Sequence, residues 1–153
     1  MKNPQPNYRY FVEAMQNKRP ARMPIYEHHI DPGFISKAID KPMLELFSGT
    51  PAQQREYFKR FVDFWVDCGY DTVSFEAGIP LSCPGSGCLR NHTAPVLRTQ
   101  EDVDNYPWEQ IPDWFFRDNA PKFEMFAEEV FRHGEIRGVG GPGFGIFETV
   151  QDL

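Results

Sequence analysis

Glu27-His28-His29-Ile30-Asp31 places two imidazoles and two carboxylates in one short run. These side chains carry general acid–base chemistry and metal ligation. They close Met23-Pro24-Ile25-Tyr26, an apolar stretch that reads as a strand over 23–28. Alternate residues of a strand point to opposite sides, so Glu27 and His29 share one side and His28 the other. Glu76 stands in the same relation to a second strand-like run, 72–76. A carboxylate there can orient a substrate nitrogen or act as a general base. Cys83, Cys88 and His92 form a third group, whose spacing suits two thiolates and an imidazole on zinc. The run Gly138–Gly145 offers backbone instead of side chains. Gly140, Gly141 and Gly143 leave room for a ligand to approach, and the run follows neither a Walker nor a dinucleotide pattern.

Each group has a plainer alternative. A polar strand end can be a solvated loop with a helix cap, and Glu76 a surface residue in a turn. Two cysteines in a glycine-rich segment can be loop residues. His133 suits the last turn of a helix, where it complements the dipole.

The elements that must hold these residues alternate. Tyr8, Phe11, Val12 and Met15 recur at helical spacing over 7–17, with Asn7 as N-cap. Pro32 and Gly33 precede a short helical turn over 34–39. Thr50-Pro51-Ala52-Gln53 starts a helix that runs to about Cys68: cap, proline at the first position, Gln at N3. Its stripe Phe58, Phe61, Phe64, Trp65 reads as core, and Gly69 as its stop. A loop-like stretch over 77–98 leads to a helix start at Thr99 and a proline-rich connection ending near Pro112. A third long helix is expected over about 119–133 and a third strand over 136–141. Alternation of helix and strand argues for an α/β fold with about three parallel strands and alternating helices. The helical pattern over 147–153 has no C-cap signal, which predicts a piece of a longer protein.

A chain of 153 residues with a net charge of −6 is large enough for one domain. The acidic balance argues against nucleic acid or an anionic membrane as partner. No apolar run approaches the roughly 18 residues of a membrane span, and none follows the N-terminus as a signal peptide would. Three cysteines, an odd and low number, fit a reducing cytoplasm.

Three segments resemble the uroporphyrinogen decarboxylase family. Asn7-Tyr8-Arg9-Tyr10-Phe11-Val12-Glu13-Ala14-Met15 with Arg19-Pro20-Ala21-Arg22-Met23-Pro24-Ile25 is similar to its N-terminal signature of helix, basic-proline turn and first strand. Leu97-Arg98-Thr99-Gln100-Glu101-Asp102-Val103 resembles its connector, and Gly138-Val139-Gly140-Gly141-Pro142-Gly143-Phe144 its glycine-proline turn after a barrel strand. The resemblance implies the N-terminal half of a TIM (β/α)8 barrel spanning 1–153, in a lyase-type enzyme acting on a small-molecule substrate. In place of the family's Arg-Gln-Ala-Gly-Arg run, whose arginines hold substrate carboxylates, stands Glu27-His28-His29-Ile30-Asp31. Acidic groups cannot hold a polycarboxylate. Within the same superfamily, corrinoid-dependent methyltransferases pass methyl groups between corrinoid proteins and thiols using zinc, which makes a corrinoid protein the implied partner of that branch. A chain that is only a folding or interaction unit is the non-catalytic alternative.

In a barrel, strand C-terminal ends form one mouth. Glu27, His29 and Glu76 are then the expected catalytic residues, and His28, Asp31, Gly140, Gly141 and Gly143 the expected substrate-binding ones. Such a mouth favours a metal ion or a cationic or neutral substrate over a polyanion. Half a barrel leaves open strand edges, which implies either further strands or a homo-oligomer.

Overall fold

The structure is a computed structural model that describes residues 4–85 and 95–143. Several of its helices start where the sequence signals a cap. Helix α1, Tyr8–Met15, is capped by Asn7, whose side chain accepts from the Arg9 N–H. Asp31 caps α2, Pro32–Ala38, with Pro32 in the first turn. A single turn, α3, covers Leu44–Phe47. Helix α4, Pro51–Asp67, opens on the complete capping box expected of Thr50 and Gln53. Gly69 then takes φ +83°, the left-handed conformation that lets the chain leave the helix.

Strand β1 is Thr72–Gly78. After a 3-10 turn over Ile79–Ser82 comes α5, Gln100–Asn105, which Thr99 and Asp102 cap reciprocally. A second 3-10 turn, Trp108–Gln110, leads into α6, Ile111–His133, and then β2, Arg137–Gly143. The two strands are parallel neighbours in a two-stranded sheet, so the described chain is a mixed helix-and-strand fold.

Two expectations are corrected. The first strand, expected over 23–28, is not a strand: the described residues there join no ladder. Pro24 has no N–H to donate, and the Ile25 N–H goes to the Asp71 carboxylate at 2.8 Å. Only the Ile25 carbonyl makes a main-chain bond to the start of β1, from the Asp71 N–H at 3.0 Å. Two strands are therefore present among the described residues where three were expected. The second correction concerns α6, which begins at Ile111 instead of about 119. Pro112 ended the expected connection, yet at a helix's second position its missing N–H has no partner to lose. Pro121 lies inside the helix, where it leaves the Arg117 carbonyl without its usual donor. The helical pattern over 147–153 lies outside the described residues.

The described residues form two compact units. One comprises those up to Phe75 with Lys122–Val139; the other comprises Glu76–Pro121 and those from Gly140 on. The first holds the larger core. Tyr57, Phe58, Phe61, Val62 and Trp65 line one face of α4 and meet Val73 and Phe75 of β1, Met125, Phe126 and Val130 of α6, and Ile136. The Phe75 ring lies 5.0 Å from Phe58 and 5.4 Å from Phe126, between the two helices. Phe64, expected in this stripe, packs against the core while partly buried. The second unit has a smaller core of Cys83 and Ile111, with Ile79, Leu97, Tyr106 and Trp114 around it.

Candidate functional site

Alternation along β1 decides which residues can serve a site. Val73 and Phe75 point to the helices, so Glu76 points to the other side of the sheet. It is the one exposed residue of a strand whose other six are buried. Gly143, the last residue of β2, is its neighbour. A Cβ built on Gly143 would stand 3.2 Å from both the Cβ and Oε2 of Glu76, and 3.8 Å from the Ala77 carbonyl. The structure thus brings the expected carboxylate and one of the three expected glycines together, at the carboxyl ends of adjacent parallel strands. Parallel α/β sheets use those ends for ligands.

Gly140 and Gly141 differ from Gly143. Their φ angles are +112° and +153°, which L side chains rarely adopt, and a Cβ on Gly141 would meet nothing within 4 Å. They are glycine for backbone reasons, whereas Gly143 is glycine for space.

Glu27, His28, His29 and Asp31 belong to the other unit, on the exposed segment before α2. The His28 N–H donates to Glu27 Oε1 at 2.9 Å, and the Tyr26 hydroxyl lies 3.2 Å from His28 Nδ1. Asp31 is used as a cap: it accepts from the Phe34 N–H at 3.0 Å. Two phenols register the carboxylates of this segment. Burial raises the Tyr70 hydroxyl pKa and the Glu27 charge adds to it. Burial raises that of Tyr57 more strongly, with the Asp31 charge adding. An imidazole-bearing segment with carboxylates beside phenols can hold a cationic or hydrogen-bonding group.

Of the expected zinc ligands, Cys83 is 5% exposed and turned into the small core, where its thiol donates to the Ile79 carbonyl at 3.7 Å. Cys88 and His92 lie outside the described residues. Among the described residues no three His, Cys, Asp or Glu side chains gather as metal ligands. The position of Cys83 fits a packing role.

One functional-looking group escaped the sequence reading. Asp71 is fully buried at the start of β1, and its carboxylate accepts from both Arg22 guanidinium nitrogens at 2.7 Å. It also accepts from the backbone N–H of Asn7 at 2.6 Å and of Ile25 at 2.8 Å. Burial alone would raise its pKa. The Arg22 bond and the two backbone bonds outweigh that and hold the carboxyl below the usual aspartate range. All four donors are structural, so Asp71 fastens the N-terminal segment to the strand. The signal was an acid opening a β-branched run, with an arginine in the basic-proline turn to match it.

No family model, curated protein or solved structure matches the chain. Among the described residues, no helix is long and apolar enough to cross a membrane.

Proposed function

We propose that the chain supplies early strands of a uroporphyrinogen decarboxylase-like (β/α)8 barrel enzyme whose substrate is a neutral or cationic small molecule. The observation that carries this reading is Glu76, exposed at the carboxyl end of β1 beside Gly143 of the parallel β2. Two parallel strands separated by helices are the repeating unit of such a barrel. A two-stranded sheet has open edges, which further strands or a second copy would cover. In this reading Glu76 is the general base or the anchor of a substrate nitrogen. Gly140 and Gly141, on the strand that ends at Gly143, complete the rim beside it. The run Glu27–Asp31 has no arginine to hold a polycarboxylate. Methyl transfer from a corrinoid protein to a thiol is therefore favoured over porphyrinogen decarboxylation. Three cysteines, an odd and low number, are in keeping with a cytoplasmic setting.

The test compares two reactions on the protein encoded by the complete reading frame. Expected is turnover of a methylated corrinoid with a thiol, lost in Glu76→Gln, and no decarboxylation of uroporphyrinogen. Porphyrinogen turnover by the wild type would overturn the acidic-mouth reading. Methyl transfer that survives Glu76→Gln would remove Glu76 from the site. Absence of both reactions would favour the non-catalytic alternative.

A further inference from the structure

Gly143 has no conformational need to be glycine. It is the last residue of a strand and, unlike Gly141, its φ is not in the positive region. It is buried, and the direction in which a side chain would leave it is filled by Glu76. A contact of 3.2 Å from a Cβ is tighter than nine in ten real Cβ contacts, so an added methyl makes its neighbour give by a few tenths of an ångström. One of the two atoms in the way is the carboxylate oxygen itself. The other, Glu76 Cβ, is fixed to the strand, so part of the strain falls on the strand pairing and only the part at Oε2 can be relieved by moving the carboxylate. We propose that Gly143 is a positioning residue that sets where the Glu76 carboxylate stands. Glycine lets the carboxylate lie against β2; any side chain would swing it away. The inference deepens the proposed site and rests on the reading of Glu76 as its acid. Catalytic groups must be held within about 0.5 Å of their productive geometry, so a gauge acting over a few tenths of an ångström would matter to an acid–base group.

The experiment follows the Glu76 carboxyl carbon by 13C NMR at fixed pH, and thermal unfolding, in four variants. Gly143→Ala is expected to move the Glu76 resonance and lower Tm by about 2–4 °C, the shift typical of a small local strain in a chain this size. Glu76→Gly removes both crowding atoms, so adding Gly143→Ala to it should lower Tm no further. Gly141→Ala serves as control: it should lower Tm through backbone strain whatever stands at 76, and leave the Glu76 resonance in place. An unmoved Glu76 resonance in Gly143→Ala, or the same Tm loss with and without the Glu76 side chain, would overturn the proposal. Neither readout involves turnover. A failure of the proposed function would show separately, as methyl transfer indifferent to Glu76→Gln.

Discussion

Replacing Asp71 by Asn tests the fastening of the N-terminal segment to β1. The carboxylate accepts four hydrogen bonds, two from Arg22 and one each from the Asn7 and Ile25 N–H groups. Hydrogen bonds to a charged group contribute about 1.5–3 kcal/mol each, but their sum overstates the effect because both ions were taken from water. Removing one partner of a buried pair costs about 3–5 kcal/mol, since the other is left uncompensated. The Arg22 side chain is 28% exposed and can turn partly to solvent, which places the expected loss near the lower end, about 3 kcal/mol. The asparagine oxygen can still accept from Asn7. Its amide, however, would set donors against Ile25 N–H or the guanidinium. With a urea m-value of about 2 kcal/mol/M, the unfolding midpoint should fall by about 1.5 M. The pH dependence gives a second reading. The folded carboxyl titrates below its ordinary value of about 3.9, so its contribution is fully present above that value. It is lost as the pH falls through the lower folded-state value. The gap between wild type and Asp71→Asn should therefore be widest at neutral pH and close in acid. Urea titrations followed by circular dichroism at a series of pH values measure both effects. A neutral-pH loss below about 1 kcal/mol, or a gap that keeps its size in acid, would refute the reasoning.

Phe58→Ala should destabilise by about 3–5 kcal/mol in the same assay, because the ring is fully buried among Phe47, Tyr57, Phe75 and Phe126. Thr50→Ala should cost about 1 kcal/mol by removing one half of the capping box on α4; Thr50→Ser should restore most of it. Burial, then the neighbouring Cys83, push the Tyr106 hydroxyl up to about 12. Tyr106→Phe should accordingly remove an alkaline phenolate transition at about that pH in the ultraviolet spectrum. The stability Tyr106 contributes is present below the ordinary tyrosine value of about 10 and is lost as the pH rises to about 12.

What the sequence made legible was local. Asn7, Thr50 and Thr99 cap the helices that follow them, because a cap's signal lies within three residues of its effect; Asp31, expected to bind substrate, is also a cap. The aromatic face of α4 was equally plain, since a 3.6-residue period names its own buried side. The strand at 23–28 was misread because its apolar pattern says nothing about where its N–H groups go. The partner of Ile25 is a side chain 46 residues away. The start of α6 was misplaced because prolines read as breaks, while Pro112 sits where a helix tolerates one. Of the site, Glu76 was legible as a residue type at a strand end. Its pairing with Gly143 joins residues far apart in sequence, and no local rule reaches that far.

The face on which Glu76 stands follows from the residues beside it. Phe75 lies between Phe58 and Phe126, so the side of β1 it occupies is fixed by ring packing. Burying such a ring is worth about 1.5–3 kcal/mol. A one-residue slip of β1 would send every side chain to the opposite face: Phe75 to the outer side and Glu76 into the aromatic core. An unpaired carboxylate in that core would cost far more than the ring's burial contributes, so both terms oppose the slip. The face of the sheet on which the acid stands thus depends on the aromatic residue beside it. A candidate catalytic group on a short strand acquires its aim in this way, from apolar neighbours at odd offsets that never touch a ligand.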